Sequence, residues 1–484
     1  MKTILRMTGR QHEQLRRHLF PGDGCEAAAV ALCGRRAGKD RHVLTVREIK
    51  LIPYEECAVR TPLRVTWSTE SLVPLLVKAA ATGDAILKIH SHPGGFPKFS
   101  ETDDEADAEL FESVYGWTDG EESAPHASCV MLPSGEMFGR IVKPDGGFEP
   151  LSTIAVAGDD LHFWHSDKIL QEDVPEFARR HAQAFGAGTF SVLRRLSIAV
   201  VGCSGTGSPV VEMLARLGVG RLVIVDPDRV EEKNLNRILN AGLDEARRGE
   251  FKVDVLARAV RRMGTGTQIK PIAKNLFTAE TVKQVAECDV LFGCMDSVDG
   301  RHLLNKLAVF YSIPYFDVGV KLVADGAGGV EQICGTVHYL QPDGSSLLSR
   351  RTYTLEQFAA ASLKRANPLE YEKRREEKYI AGVQEDRPAV ISVNMLLASV
   401  AVNELLARLH RFRDDGNEGF AATRISLTQG QTYYEPEGEP CRTFARHTGR
   451  GDVLPLLEMS ELSETIEDSP LSNPGMQKSG AVVK

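Results

Sequence analysis

The stretch IAVVGCSGTGSPVVEMLARLGVGRLVIVDPDRV, residues 198–230, decides the fold of this 484-residue chain. It contains an apolar run, a glycine-rich turn, a segment with helical spacing and a second apolar run that ends in acidic residues. From there to about residue 340, apolar runs of strand length alternate with helical segments. This alternation is typical of a mostly parallel, doubly wound α/β sheet.

The glycine-rich turn is built to bring the backbone close to a phosphate. Gly202, Gly205 and Gly207 have no Cβ, so their amides can approach an anion at the start of the next helix. Asp226 lies 24 residues after Gly202, where a ribose-binding carboxylate belongs in such a unit. A glycine turn alone would suggest a dinucleotide enzyme, but the order here is GxxGxG and not GxGxxG.

Three further motifs narrow the choice. They are VDPDRVEEKNLNR at 225–237, RRGEFKVDVLAR at 247–258 and CMDSVDGRHLLNKLA at 294–308. With the glycine turn, they resemble the ThiF/MoeB/ubiquitin-activating superfamily over roughly residues 170–435. Any one of their charged residues taken singly would more often be a solvated surface position, but the ordered set favours a nucleotide site.

The resemblance implies an adenylating enzyme. Such enzymes use ATP and Mg²⁺ to adenylate the C-terminal glycine of a ubiquitin-like protein, and the three glycines of the turn would help to bind ATP. The resemblance assigns phosphate contact to Arg237 and Lys252, Mg²⁺ binding to Asp296, ribose binding to Asp226, and support of the site to Asp228 and Asn234.

A second constellation lies more than a hundred residues earlier, in KIHSHPGGFPKFSETDD at 88–104. Side chains two apart on a strand share a face, so His90 and His92 can reach one ion. Asp103, at the start of the next helix, could be a third ligand, and two histidines with one carboxylate leave a fourth position open, as in catalytic zinc sites. The alternative for the histidine pair alone is a solvated loop.

The full spacing, His-x-His-x7-Ser-xx-Asp, resembles the JAB/JAMM metalloisopeptidase motif over roughly residues 1–145. By this resemblance His90, His92 and Asp103 would bind Zn²⁺. Glu26, in GCEAAAVALCG, would be the general base and later protonate the leaving amine. Ser100 would donate a hydrogen bond to the oxyanion. A folded but inactive relative is the alternative.

The organisation predicted from the sequence is α/β with two domains. Residues 1–150 form a JAB/MPN-like α+β domain, and 151–190 a linker with a lead-in helix. Residues 191–440 form a Rossmann-like, doubly wound adenylation domain of the ThiF/ubiquitin-activating type, in which 350–388 is a crossover segment. Residues 441–484 are a C-terminal tail, whose last twenty-odd residues have the composition of a disordered segment.

Bulk composition excludes several classes of protein. A net charge of −8 argues against a general nucleic-acid binder. The sequence has no run of eighteen apolar residues and no signal peptide, so we expect no membrane span and a cytoplasmic location. The nine cysteines include no CxxC pair, which is typical of reduced thiols.

The chain departs from the pattern of the ThiF/MoeB/ubiquitin-activating superfamily in two places. Family members often have a zinc-binding CxxC where this chain has YLQPDGSSLLSRR at 339–351, so we expect no structural zinc there. The crossover segment also lacks the cysteine that forms a thioester in ubiquitin-activating relatives. Either the reaction stops at the adenylate, or a hydroxyl of Thr352, Thr354 or Ser362 replaces the thiol.

Three hypotheses for the function remain open. The first is a bifunctional enzyme of a bacterial ubiquitin-like pathway, which activates the modifier and also trims or deconjugates it. Its partners would be the ubiquitin-like protein, a ubiquitin-conjugating-type enzyme and a second copy of itself. The second is activation of a sulfur-carrier protein for thiamin, molybdopterin or cysteine synthesis, matured by the JAB half. The third is a recruitment scaffold without catalysis.

Overall fold

The computed structural model describes residues 2–118, 124–167, 174–325, 327–377 and 388–463. Its amino-terminal domain contains, in chain order, β1 (Lys2–Thr8), α1 (Gly9–Leu19), β2 (Ala28–Ala37), β3 (Arg41–Leu51), β4 (Cys57–Thr61), β5 (Arg64–Trp67), α2 (Val73–Thr82), β6 (Ala85–Ser91), α3 (Glu101–Thr118), β7 (His126–Met131), β8 (Met137–Val142), β9 (Phe148–Pro150), β10 (Thr153–Ala157) and β11 (Leu161–His165).

Within the described residues, one sheet of the order β11-β10-β1-β3-β2-β6-β7-β8-β9 forms the centre of this domain, beside a β4–β5 hairpin. Strands β2 and β6 are almost entirely buried because both faces of the sheet are covered. One face packs on α1 through Leu15 and Leu19. The other face packs on α2 and α3 through side chains such as Leu76 and Phe111.

The amino-terminal domain continues past the boundary predicted at residue 150. Strand β10 pairs in parallel with β1, with Ile4 opposite Thr153, and β11 then pairs antiparallel with β10. The segment predicted as a linker therefore begins with two strands of the first sheet. Their alternating side chains, such as Ile154 and Val156, are buried against that sheet.

The second domain begins with the predicted lead-in helix. Its elements are α4 (Arg179–Arg195, kinked at Gly186), β12 (Ser197–Val201), α5 (Gly207–Arg216), β13 (Arg221–Val225), α6 (Leu243–Arg248), α7 (Lys252–Met263), β14 (Gln268–Ile272), α8 (Ala279–Ala286), β15 (Val290–Gly293), α9 (Val298–Phe310), β16 (Tyr315–Ala324), β17 (Val330–Leu340), α10 (Leu355–Ala366), α11 (Pro368–Glu376), α12 (Ile391–Leu409), β18 (Ala422–Ser426) and β19 (Gln431–Glu435).

The doubly wound sheet predicted for this domain is confirmed. The described strands follow the order β14-β13-β12-β15-β16-β17-β18-β19, parallel from β14 to β16 and antiparallel beyond. Strand β12 lies between β13 and β15, so the chain turns to the other side of the sheet there. In such sheets a ligand binds at the carboxyl ends of the strands beside this switch point.

Helix α12 is the core helix of the second domain. It is the one helix among the described residues that is long and apolar enough to span a membrane by length and composition. It packs on α5, β16 and β17, and Leu397, Ala401 and Leu405 are buried in the main core cluster. Its apolar character is therefore explained by burial inside the domain.

Residues 441–463, which we call the C-terminal strap, correct the prediction of a tail from 441 to 484. Cys441, Phe444 and Leu457 of the strap are buried. Gly451 forms a parallel β-bridge to Arg35 of β2, which ties the strap to the first domain. The apolar residues of the strap are scattered among polar residues and prolines. Because they follow neither helical nor strand periodicity, their burial could not be predicted from the sequence. The segment predicted to be disordered lies mainly in 464–484, outside the described residues.

The two domains meet through buried charge. Arg6 of β1 is fully buried and donates hydrogen bonds across the interface to the backbone carbonyl oxygens of Ala286, Cys288 and Tyr311. Its guanidinium also lies 3.6 Å from the carboxylate of Asp289. These contacts tie the first strand of one domain to the segments around α8 and α9 of the other.

Candidate active sites

The first site lies where β6 ends. His90 is the sixth residue of β6, opposite Ala28 of β2, and His92 follows the strand, its amide bonded to the carbonyl of Met131. Both histidines are buried. Asp103 comes from the first turn of α3. The parallel placement of β6 beside β7 and the packing of α3 on the same face bring the three side chains together.

The three predicted metal ligands converge. Asp103 Oδ1 lies 2.9 Å from His90 Nε2, and Asp103 Oδ2 lies 3.4 Å from His92 Nε2. The two Nε2 atoms are 3.2 Å apart. This is the one group of three or more potential metal ligands found across the described ranges.

Hydrogen bonds prepare this group for a cation. His92 Nδ1 donates to the carbonyl oxygen of Phe96 at 2.8 Å, so a metal would replace the proton on the other ring nitrogen and bind at Nε2. Asp103 accepts two hydrogen bonds at 2.7 Å, from the amide and the hydroxyl of Ser100. Burial alone would raise the pKa of Asp103, but the hydrogen bonds with both histidines hold that pKa well below its usual range. Two imidazoles and one carboxylate at this spacing fit Zn²⁺.

Glu26 lies beside the three ligands, two residues before Ala28. Burial raises the pKa of Glu26 to about 7; the charge of His92 opposes this shift and that of Asp103 adds to it. The segment is fixed locally, because the amide of Ala27 donates to Ser91 Oγ at 3.0 Å. A carboxyl group with this pKa can both accept and release a proton near neutral pH.

Ser100 occupies the position predicted for an oxyanion donor. Its hydroxyl donates to Asp103 at 2.7 Å, and it also accepts the amide of Asp103 at 3.2 Å. Ser100 is half-buried at the edge of the site. To donate to a substrate oxygen, the hydroxyl must exchange its bond to Asp103.

The second site is a cavity of about 1020 Å³ at the carboxyl ends of the parallel strands. The structure brings almost all of the residues predicted for nucleotide binding to its wall: Gly202, Gly205, Asp226, Asp228, Asn234, Arg237, Lys252 and Asp296. Gly207 begins helix α5 beside it. These residues are spread over nearly a hundred positions of sequence, and the fold gathers them at the predicted crevice.

The glycine turn is closely packed. Gly202 has φ of +90°, which favours glycine, and a Cβ there would contact the carbonyl of Cys294. A Cβ on Gly207 would collide with the carbonyl oxygen of Gly202, and one on Gly205 with the side-chain amide of Asn394. The turn therefore places the backbone of residues 204–206 in the cavity wall, directly before the start of α5.

A carboxylate pair and a lysine line the cavity beside the turn. Asp226 accepts hydrogen bonds from the amides of Cys203 (2.7 Å) and Asp228 (2.9 Å). Lys252 Nζ lies 2.8 Å from Asp228 Oδ2 and 3.9 Å from Asp226 Oδ1. Burial raises the pKa of Asp226, and the charge of Lys252 opposes this. The two carboxylates thus hold the buried ammonium group of Lys252 beside the glycine turn.

The remaining predicted residues differ in what they contact. Arg237 is half-buried, with its Cδ near Gly205. Asn234 is buried, and its side-chain oxygen accepts the amide of Glu231, which closes the loop that carries Arg237. Asp296 is exposed just after β15, where it adds to the electrostatic field on Arg301. The contact of Asn234 is thus a local one within this loop, and its supporting role in the site stays a prediction.

Three cavity residues received no role from the sequence. Asn394 reaches Gly205 from α12. Arg301 Nε lies 3.3 Å from the buried carboxylate of Asp317, which also accepts the hydroxyl of Tyr315 at 2.8 Å. Asp317 is the one acid in β16, and an acid in a strand that begins so apolar was the signal that could have pointed to it. The contact from Asn394 spans almost two hundred residues of sequence and leaves no local pattern.

The crossover segment closes one side of the cavity. Arg365 of α10 pairs with Asp299 at 2.9 Å, and its guanidinium lies 3.6 Å from the centre of the Phe277 ring. Glu461 of the C-terminal strap accepts a second bond from Arg365 at 2.7 Å. Residues 378–387 of the predicted crossover lie outside the described residues.

Thr352 lies in the cavity wall, 3.5 Å from Nε2 of His338. Burial lowers the pKa of His338 well below its ordinary value, so the ring is neutral. Arg350, which can only donate, lies 3.4 Å from the Nδ1 of this ring. The proton therefore sits on Nε2, and His338 donates to Thr352 and cannot take its proton.

The other candidate nucleophiles are placed less favourably. Thr354 caps α10 by accepting the amide of Gln357, and the hydroxyl oxygen of Ser362 is buried. Burial raises the pKa of Cys294 to about 12 and that of Cys203 well above its ordinary value. Cys334, by contrast, is partly exposed and lines the cavity, although it lies outside the crossover segment.

Comparisons with known proteins agree with both halves of this description. Residues 178–436 match the model of the ThiF family, and residues 9–137 match that of prokaryotic homologs of the JAB domain. The predicted fusion of these two domains is confirmed. A crystal structure of E. coli MccB with ATP covers 55% of this chain and 73% of its own, with a TM-score of 0.42 and 17% identity.

Curated relatives match part of this chain over part of their own length. Adenylyltransferase and sulfurtransferase MOCS3 of Sus scrofa is 38% identical over 122 residues, 25% of this chain and 26% of that protein. SAMP-activating enzyme E1 of Haloferax volcanii is 31% identical over 147 residues, 30% of this chain and 50% of that protein. The chain thus spans about a quarter to a half of these relatives. It belongs to the ThiF family and carries a domain of the prokaryotic JAB type ahead of the ThiF domain.

Proposed function

We propose that this chain activates the carboxyl terminus of a ubiquitin-like protein with ATP and also cleaves peptide or isopeptide bonds that follow that terminus. The observation that carries the proposal is the gathering of Lys252, Asp226 and the glycine turn around one cavity at the switch point of the sheet. ATP use follows from membership of the ThiF family. The protein substrate and the peptidase activity are our inference.

Activation requires a carboxylate to attack the α-phosphate of ATP and to displace pyrophosphate. Both reactants are anions, so positive charge must lie between them. Lys252 and Arg237 supply this charge, and the backbone amides of the glycine turn hold phosphate oxygens. Asp226 orients the ribose, and Asp296 is placed to hold the Mg²⁺ that accompanies ATP. The products are the acyl adenylate and pyrophosphate.

The JAB half would cleave the peptide or isopeptide bond that follows the carboxyl terminus of the ubiquitin-like protein. Bound Zn²⁺ lowers the pKa of water and polarises a carbonyl oxygen, and His90, His92 and Asp103 are the residues that would hold it. Glu26 accepts the proton of the attacking water and passes it to the leaving amine. The proton that Glu26 takes up in the first step is the one that it gives up in the second, so the carboxylate is restored for the next turnover. Ser100 donates to the oxygen on which negative charge develops.

A pyrophosphate-exchange assay tests the activating half. The protein is mixed with candidate ubiquitin-like proteins, ATP and labelled pyrophosphate, and label entering ATP is counted. Lys252→Met should reduce exchange by at least about a hundredfold, because one charge at a phosphoryl group is worth several kcal/mol. Arg258→Met, on the same helix but exposed and paired with Glu245 and Glu250, should leave exchange unchanged. Equal activity of Lys252→Met and the wild type would refute the assignment.

A mass measurement tests the JAB half. Candidate ubiquitin-like proteins with a carboxyl-terminal extension are incubated with the Zn²⁺-loaded protein. Loss of the extension should disappear in His90→Ala and Glu26→Gln, and both variants should keep full pyrophosphate exchange. An extension that is removed equally well by both variants would rule out this site as the peptidase.

A second candidate function is activation of a sulfur carrier. It is favoured by the 38% identity to an adenylyltransferase and sulfurtransferase and by the missing cysteine in residues 350–388. In that case the adenylate is the last product made by this chain, and a sulfur donor completes the reaction. A carrier that gains the mass of a thiocarboxylate only when a persulfide donor is present would select this function.

The proposal extends to partners and location. Besides the ubiquitin-like protein, we propose a ubiquitin-conjugating-type enzyme as the acceptor of the activated modifier, a homodimer as the working assembly and the cytoplasm as the compartment. Analytical ultracentrifugation, with and without the ubiquitin-like protein, tests the assembly. A single monomeric species at micromolar concentration would contradict the dimer.

A further inference from the structure

A buried charge cluster lies directly behind the candidate metal site. Lys88 is two residues before His90 on the same face of β6, and Asp107 is one helical turn after Asp103 on the same face of α3. Lys88 Nζ donates to Asp107 Oδ1 at 2.7 Å. Both side chains are buried, and Asp107 has no exposed surface. The pair therefore joins the two elements that carry the metal ligands.

Arg140 adds a third element to this cluster. It lies on β8 and donates two hydrogen bonds to Asp107 Oδ2, from Nε at 3.0 Å and from Nη2 at 2.6 Å. Its other amino group donates to Asp104, so the two cations face two carboxylates and the cluster is electrically balanced. Strand β8, helix α3 and strand β6 are thus bound to one carboxylate.

The same guanidinium supports the loop that leads to Ser100. Arg140 stacks on the ring of Phe99, with 3.8 Å from its central carbon to the ring centre. Phe99 packs edge-on against Phe138 at 5.3 Å between ring centres, and Phe138 lies 6.3 Å from the ring of His92. Phe99, which precedes Ser100, is therefore held between Arg140 on one side and Phe138, the neighbour of His92, on the other.

Stability alone does not account for this cluster. Taking several charges out of water is costly, and replacing buried ion pairs with apolar side chains is often neutral or stabilising. Such a cluster does, however, fix geometry, because each charge must meet its partner at hydrogen-bond distance. Metal ligands likewise depend on outer groups that orient them.

We propose that Lys88, Asp107 and Arg140 are positioning residues of the metal site, which hold Asp103 and Ser100 at binding distance from His90 and His92 before a metal arrives. The inference rests on the metal site of the proposed function. It assigns no contact with substrate to these three residues. Its consequence is a high affinity for Zn²⁺ that depends on residues outside the ligand set.

Zn²⁺ binding to the full-length, metal-stripped protein tests this inference. The dissociation constant is measured by competition with a fluorescent chelator, well below the melting temperature of each variant. Asp107→Asn and Arg140→Lys should each raise the dissociation constant about 10- to 100-fold, the range known for groups that orient metal ligands. The absorption spectrum of the Co²⁺-loaded variants should also change, because the ligand geometry is no longer held.

The pair Arg47–Asp84 provides matched controls. It lies in the same domain at 2.7 Å, with Asp84 buried, and joins β3 to the residue that precedes β6. Asp84→Asn and Arg47→Lys should lower the melting temperature to a similar extent but leave the dissociation constant within about twofold, because additivity holds for distant sites. Circular dichroism shows whether each variant is folded. If Asp107→Asn does not fold, the dissociation constant of Arg140→Lys decides whether the inference stands.

The outcomes separate the inference from the proposed function. If the wild type binds Zn²⁺ no better than His90→Ala, the metal site itself fails, and with it this inference. If the wild type binds tightly and the folded cluster variants bind equally well, the inference is overturned while the metal site stands. Equal losses in cluster and control variants also overturn it, because the effect is then one of general stability.

Discussion

Glu26 has an ionisation that depends on its surroundings. Burial raises its pKa from the ordinary range to about 7, and the neighbouring Asp103 adds to the shift. In the unfolded chain the same carboxyl group titrates near 4.3. Between these two values the folded protein retains a proton that the unfolded chain has released. The residue thus links the chemistry of the site to the stability of the domain.

This linkage gives a prediction for the metal-free protein. The folded state binds more protons than the unfolded state between about pH 4.3 and 7, so the free energy of unfolding falls as the pH rises through this window. Glu26→Gln removes this contribution, and we expect the variant to gain stability relative to the wild type from pH 5 to about pH 7 and to keep that gain at higher pH. Urea unfolding at each pH in the presence of a chelator measures it. A difference that stays constant with pH would contradict the prediction.

At the scale of an element, the glycine turn between β12 and α5 shows how tightly the nucleotide crevice is built. A methyl group on Gly207 would collide with the carbonyl oxygen of Gly202. To relieve this collision, the turn must move away from the start of α5. The backbone amides of the turn would then no longer lie where they can bind a phosphate.

We therefore expect Gly207→Ala to weaken ATP binding by about 1–3 kcal/mol, the cost typical of overpacking, which corresponds to about 5- to 150-fold. Isothermal titration calorimetry with ATP measures this loss. Gly188→Ala in α4, where a Cβ meets open space, is the matched control and should bind ATP as the wild type does. Unchanged affinity of Gly207→Ala would show that the phosphate lies elsewhere.

The elements that could be predicted from the sequence are those with a local pattern. The alternation after residue 198 predicted the doubly wound sheet, and the spacing from His90 to Asp103 predicted a cluster that the fold brings together. Strand β10 could not be assigned to the first domain, because its partner β1 lies about 150 residues away and the intervening composition suggested a linker. The strap was missed for a similar reason, since its buried residues, such as Phe444 and Leu457, follow no period.

At the scale of the whole molecule, buried charge at the domain interface joins the two halves. Arg6 serves three carbonyl oxygens of the second domain. Arg41 lies 3.1 Å from Asp289, which is also the partner of Arg6. The C-terminal strap adds a contact of its own, because the hydroxyl of Tyr311 donates to Asp452 at 2.7 Å. The domains are therefore expected to unfold as one cooperative unit.

Arg6→Met tests this expectation. The variant leaves buried carbonyl oxygens without a donor, so we expect a loss of about 3 kcal/mol in the free energy of unfolding. We also expect the single calorimetric transition of the wild type to split into two, because the domains lose their coupling. Arg17→Met, an exposed residue of α1 paired with Glu13, should change neither quantity. Two transitions already present in the wild type would contradict the idea of one unit.

The joining of both domains in one chain also fixes the relative amounts of the two candidate sites in a cell. Because the two candidate sites lie in one chain, every copy of the protein carries both, and under the proposed function the activating site and the cleaving site are made in equal numbers. Transcription cannot change this one-to-one ratio. Under the proposed function, the balance between attachment and removal would instead respond to the supply of nucleotide and of zinc, each of which serves one of the two sites.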